Sequence, residues 1–172
     1  MLIWRDYLPL ATIVGIDIES KPDTFPTESR IHFVQGSQDD AAVLAEAMRA
    51  AGGPFDIIID DCAHIGHLAA RSFAYLFPNA LKPGGLYVIE DICTAFLTGV
   101  FAESVPFKPE QVGGHPAGAT PTVFPSHDNG LVGVAKQIFD HAMAPTCRTE
   151  SPFRIERIIV RSNIVLIEKM SA

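Results

Sequence analysis

Cysteine is scarce in this chain: Cys62, Cys93 and Cys147 stand in unrelated contexts. An odd number without a repeated spacing excludes a disulfide framework and reads as reduced thiols in a cytoplasmic protein. Positive charge is short as well. Thirteen Lys and Arg against 20 Asp and Glu leave a net charge of −7, with no basic cluster of the kind phosphate neutralisation needs, which argues against a nucleic-acid partner. No run of about 18 apolar residues occurs, so no membrane span is expected. The opening MLIWRDYLPLATIVGID has Arg5 and Asp6 inside its apolar stretch and no small-residue cleavage site, unlike a secretory signal. Charged residues reach only 19% while hydrophobic ones make up 48%, a balance that suits a buried α/β sheet and not a disordered segment. The length, 172 residues, holds one domain with a real core, 1–172, and no internal repeat is visible.

Along the chain, LIWRDYL at 2–8 reads as the last turns of an amphipathic helix that Pro9 ends. ATIVGIDI is a short β-rich run closing in an acid, and IHFVQG a second one. SQDDAAVLAEAMRAAGG reads as a helix, with Ser37 or Asp39 as its cap and Gly52 as its stop. FDIIIDD is the most apolar strand. HIGHLAARSFAYLFPNAL follows as a helix, KPGG as a tight turn whose glycines supply φ > 0, and LYVIED as a fourth strand. Alternating strands and helices require right-handed crossovers and a parallel sheet. Residues 97–130 break this rhythm with many Gly and Pro, as an irregular lid or substrate loop would. NGLVGVAKQIFDHAMA is a helix, and FRIERIIVRSNIVLIEKM pairs two β-rich runs around Arg161 and Asn163, most simply as an antiparallel hairpin. The fold class is therefore α/β: a Rossmann-like, mostly parallel sheet with helices on both faces and a carboxyl-terminal antiparallel hairpin.

Ligands of open parallel sheets collect beyond the carboxyl ends of the strands. Those ends deliver Asp17, then Gln35 to Gln38, then Asp60, Asp61, Cys62 and His64, then Glu90 and Asp91. Carboxylates gathered on one rim repel each other and raise one another's pKa unless a cation sits among them. Oxygen ligands favour a hard ion such as Mg²⁺ over zinc. A plainer reading exists for each residue: Asp61 as the cap of the helix beginning near Ile65, His64 as a helix-start histidine, Asp17 as an ordinary strand-end acid.

In order and spacing, IVGIDIE, VQGSQDD, FDIIIDDCAHIGHLAARSFAYLFPNALKPGGLYVIEDICTAF and RSNIVLIEK resemble the macrolide-sugar O-methyltransferases and cephalosporin-hydroxylase-like proteins among class I S-adenosylmethionine-dependent methyltransferases. The IDD..H and KPGGLYVIED blocks are the discriminating ones. The resemblance implies a Mg²⁺ held by Asp61, Glu90 and Asp91, with His64 as general base on a sugar hydroxyl. It places Asp17 on the ribose of S-adenosylmethionine, Ser37 and Gln38 near the adenosine, and Asp60 near the methionine part. The implied partner is a small-molecule hydroxyl acceptor, a sugar or natural product, with a homo-oligomer as an open option.

The pattern departs from the family in two places. Cys62 stands where the family has Gly after the Asp-Asp pair; if φ > 0 is needed there, a Cys costs about 1 kcal/mol. The chain also opens inside the helix that follows the family's first, central strand and glycine-rich loop. Without that strand, those ending in Asp17 and Asp61 must pair directly, leave a gap, or accept a strand from elsewhere. A fragment, a late-assigned start or a decayed relative would each look like this. The competing functions are a non-catalytic methyltransferase-like binding or scaffold protein, and another enzyme on a similar sheet. A nicotinamide-dependent oxidoreductase lacks its GxGxxG here; a metal hydrolase stays open on residue type.

Overall fold

A computed structural model describes residues 1–25, 28–96 and 130–171. The expected loop at 97–130 lies outside these, save Gly130. In chain order the elements are α1 (Leu2–Tyr7), β1 (Ile13–Asp17), β2 (Ile31–Gln35), α2 (Ala41–Ala51), β3 (Phe55–Asp60), α3 (Gly66–Asn79), β4 (Leu81–Ile89), a 3₁₀ turn (Ile92–Phe96), α4 (Gly130–Met143), β5 (Ile155–Arg161) and β6 (Ile164–Lys169). No helix among the described residues is long and apolar enough to cross a membrane.

The strands form two sheets. β1 and β2 pair in parallel, and a four-stranded sheet runs β3-β4-β6-β5, with β3 and β4 parallel and the β5–β6 hairpin antiparallel. Between β1 and β3 the outcome is a gap. A cleft of about 430 Å³ separates the facing edges, lined by Val14 and Ile16 on one side, Ile57 and Ile59 on the other, and Asp61 and Cys62 at the rim. α2 packs on both strands of the small sheet and touches α3. Gln38, following β2, bonds to Asp60 at the end of β3.

Helix boundaries follow local chemistry. Asp40, rather than Ser37 or Asp39, caps α2 by accepting from the Ala42 N–H at 2.8 Å. Ser37 and Asp39 are otherwise engaged: the Ser37 hydroxyl donates to Asp39, which also accepts from Arg71. Gly52 stops the helix as expected, at φ 80°, its N–H bonding the Arg49 and Met48 carbonyls. α3 has no side-chain cap at its start, so Asp61 is not spent on capping. At its end Lys169 Nζ donates to the carbonyls of Phe77, Pro78 and Leu81 at 2.7–3.0 Å, replacing the helix's missing backbone donors. The KPGG segment lies within β4, but as an irregularity. Phe55 pairs with Leu81 and Ile57 with Leu86, so Lys82 to Gly85 form the excursion, with Gly84 at φ 74°.

The core sits between the four-stranded sheet and α3 and α4. Phe73 stacks on Phe77 with centroids 4.7 Å apart and meets Tyr87 edge-on at 5.1 Å; Phe153 closes the cluster. Leu131, Ile138 and Ile167 fill the rest, and Leu44 joins the cluster from α2. Each such side chain taken out of water contributes about 1.5–3 kcal/mol.

Candidate metal and cofactor rim

The four-stranded sheet brings its acids together at one end. β3 stops at Asp60 and β4 at Ile89, and the Glu90 N–H bonds the Asp60 carbonyl at 3.0 Å, which sets Asp61 beside Glu90 and Asp91. One ligand atom each from Asp61, His64 and Asp91 lies within 4.8 Å of the others. His64 Nε2 stands 3.5 Å from Asp91 Oδ2. Glu90 is not part of that tight trio, but it shares its field. Its carboxyl is held above the usual range by burial first, then by Asp61 and Asp91, while His64 pulls it down. Two carboxylates with a third in range suit a divalent cation with open positions for water or substrate oxygen, and the imidazole nitrogen beside them can handle a proton.

Backbone strain concentrates here. His64 and Asp91 adopt φ of 56° and 53°, while Cys62 is not among the residues with positive φ. The cost expected for a positive φ at Cys62 does not arise; His64 and Asp91 carry left-handed strain of their own, about 1 kcal/mol each. Thr94, buried beside them, holds both: its N–H and hydroxyl bond the Asp91 carbonyl at 3.0 and 2.8 Å, and the hydroxyl lies 3.4 Å from the His64 carbonyl. The Cys62 thiol is pushed up to about 11, by burial first and then by Asp60, Asp17 and Asp61. That shift disfavours the thiolate that a nucleophile needs. Ile16 of β1 lines the cleft together with Asp61 and Cys62 beyond the end of β3, and Asp17 follows Ile16.

The residues expected toward the cofactor divide into two groups. Asp17 lies exposed at the end of β1, one carboxylate oxygen taken by the Glu19 N–H at 3.0 Å. Ser37 is bonded to Asp39. Gln38 and Asp60 are buried and spent on each other. Gln38 Nε2 donates to Asp60 Oδ1 and Ser72 Oγ, both at 3.1 Å, and Gln38 Oε1 accepts from the Ala63 N–H. The Tyr87 hydroxyl donates to Asp60 at 3.2 Å. Burial raises the Asp60 carboxyl, and the bonds from Tyr87 and Gln38 pull it back toward the charged form. Gln38 and Asp60 thus form the inner wall of the rim. Reading the sequence alone misses Ser72, Tyr87, Thr94 and Asn163. Nothing in their local pattern marks them, since each acts on a residue brought near only by the fold.

No protein-family model matches the chain. It is 34% identical over 97% of its length to mycinamicin VI 2''-O-methyltransferase of Micromonospora griseorubida, covering 38% of that protein. It is 44% identical over 62% of its length to demethylmacrocin O-methyltransferase of Streptomyces fradiae, covering 26% of that protein. Among solved structures, MycE methyltransferase from the mycinamycin biosynthetic pathway, in complex with Mg, SAH and mycinamycin VI, superposes with a TM-score of 0.67 at 34% identity. That match covers 98% of this chain and 39% of the other. The chain spans about two fifths or less of the length of the curated relatives it matches. In sequence and in its Rossmann-like α/β fold, the chain is similar to part of these O-methyltransferases.

Proposed function

We propose that this chain carries the metal and catalytic rim of an S-adenosylmethionine-dependent, Mg²⁺-assisted O-methyltransferase acting on a hydroxyl of a sugar or other natural product. The observation that carries the reading is the convergence of Asp61, His64 and Asp91 ligand atoms within 4.8 Å. Asp61 and Asp91 would hold the cation, with Glu90 completing the carboxylate set. Mg²⁺ supplies the charge that makes a sugar hydroxyl acidic enough to react near neutral pH. His64 Nε2 then takes the hydroxyl proton, and Asp91, 3.5 Å away, stabilises the imidazolium that results. S-adenosylmethionine brings an already activated methyl group, so the protein's remaining task is alignment. Asp17, which follows the cleft-lining Ile16 at the end of β1, would accept from ribose hydroxyls, with Ser37 on the adenosine side. Gln38 and Asp60 support the wall between them.

Calorimetry of the chain with MgCl₂ and with S-adenosylhomocysteine tests this. Saturable Mg²⁺ binding that disappears in Asp61→Asn and Asp91→Asn supports it; absence of Mg²⁺ binding in the unmodified chain removes it. The break between β1 and β3 favours a second reading, a methyltransferase-like chain that binds a partner and no cofactor. Mg²⁺ binding without any S-adenosylhomocysteine binding would select that one.

A further inference from the structure

We infer that Asn163, in the turn between β5 and β6, is the positioning residue that sets Asp91 for cation binding. The inference rests on the metal reading above. Asn163 Nδ2 donates to Asp91 Oδ1 at 2.6 Å. Its Oδ1 accepts from the Cys93 N–H at 2.8 Å, and its carbonyl accepts from the Ile92 N–H at 3.2 Å. One residue from a distant hairpin thus grips the side chain of Asp91 and the two peptide groups that follow it. Asp91 needs that grip, because its φ of 53° is a conformation that an L-residue holds only when its surroundings impose it.

The residue type matters. An asparagine side chain donates and accepts at once, so it can bond a carboxylate and an N–H together; Asp could only accept, and Leu could do neither. Being neutral, it orients Asp91 without cancelling the charge a cation requires, as Lys or Arg would. With Oδ1 occupied, Asp91 turns Oδ2 toward His64 and the space between Asp61 and Asp91. Asn163 therefore selects which oxygen of Asp91 is offered. Outer partners of metal ligands have this effect elsewhere, and their loss costs about 10–100-fold in metal affinity.

The test is MgCl₂ calorimetry on the full chain as wild type, Asn163→Ala and, from the same turn, Ser162→Ala. Asn163→Ala is expected to weaken Mg²⁺ binding about 10–100-fold, while Ser162→Ala leaves it unchanged. Wild-type binding retained within about twofold in Asn163→Ala would overturn the positioning role and leave the metal reading intact. A wild-type chain that ignores Mg²⁺ would remove the metal reading, and this inference with it. Should Asn163→Ala not fold, Asp91→Ala serves instead. In metal-free wild type the Asn163 side-chain amide protons should exchange slowly and resonate apart from other Asn side chains, and Asp91→Ala should abolish both features. Signals unmoved by Asp91→Ala would overturn the clamp directly.

Discussion

Gln38 Nε2 lies 3.1 Å from Asp60 Oδ1, and this bond joins two sheets that share no backbone ladder. It is buried, and the Gln38 amide spends its remaining capacity on Ser72 and the Ala63 N–H. Gln38→Ala therefore leaves a buried carboxylate and a backbone N–H short of partners, at about 2–4 kcal/mol by the usual cost of unsatisfied buried groups. Urea unfolding should show that loss. The same substitution in an Asp60→Asn background should cost at least about 0.5 kcal/mol less, because no buried charge is then stranded. Equal losses in both backgrounds would show that Gln38 acts by packing alone.

His64 offers a separation of chemistry from metal binding. His64→Gln should lower methyl transfer by about 10²–10⁴-fold, the range for loss of a general base, while Asp61 and Asp91 keep the cation within about tenfold of its normal affinity. The measurement is turnover on a sugar-bearing acceptor beside Mg²⁺ calorimetry on the same preparation. Metal affinity falling as far as turnover would make His64 a ligand first.

Asp39 gives a pH prediction with a definite sign. The Ser37 hydroxyl, more than Arg71, holds its carboxyl below the ordinary value of 3.8. A lowered folded pKa means that these bonds add stability above the unfolded pKa and lose it as pH falls through the folded one. A carbon-13 titration of the Asp39 carboxyl should show its midpoint rising further in Ser37→Ala than in Arg71→Ala. The stability gap between wild type and Ser37→Ala should close below about pH 4. A larger rise in Arg71→Ala would mean that charge, not the hydroxyl bond, dominates.

The strands were legible in the sequence because each is a short, β-rich apolar run bounded by turn or helix signals, and β1 and β3 end in an acid while Glu90 follows β4. The rim acids were legible for the same reason. The helix cap was not, because Ser37, Asp39 and Asp40 are all competent, and Ser37 and Asp39 bond each other while Arg71, from another helix, takes the second oxygen of Asp39. The KPGG turn was half legible: the glycine at positive φ is there, yet pairing resumes on both sides of it. Asn163 read as a turn residue, since its bond to Asp91 spans 72 positions that no local pattern connects.

Gly66 shows how tightly the rim is backed. A Cβ built on it would lie 2.7 Å from the backbone C and Cα of Gly130, the first residue of α4. Backbone cannot rotate aside as a side chain can, so Gly66→Ala must push α3 and α4 apart, at about 1–3 kcal/mol. Gly66 also opens α3 two residues after His64, so the displacement reaches the imidazole. Gly52→Ala is the matched control: nothing lies within 4 Å of its Cβ position, and its φ of 80° leaves only backbone strain of about 1 kcal/mol. Thermal unfolding should therefore show loss in both variants, whereas Mg²⁺ affinity should fall only in Gly66→Ala. Weakening of Mg²⁺ binding by Gly52→Ala to the same degree would mean that the rim responds to global stability and not to the packing of α4 behind it.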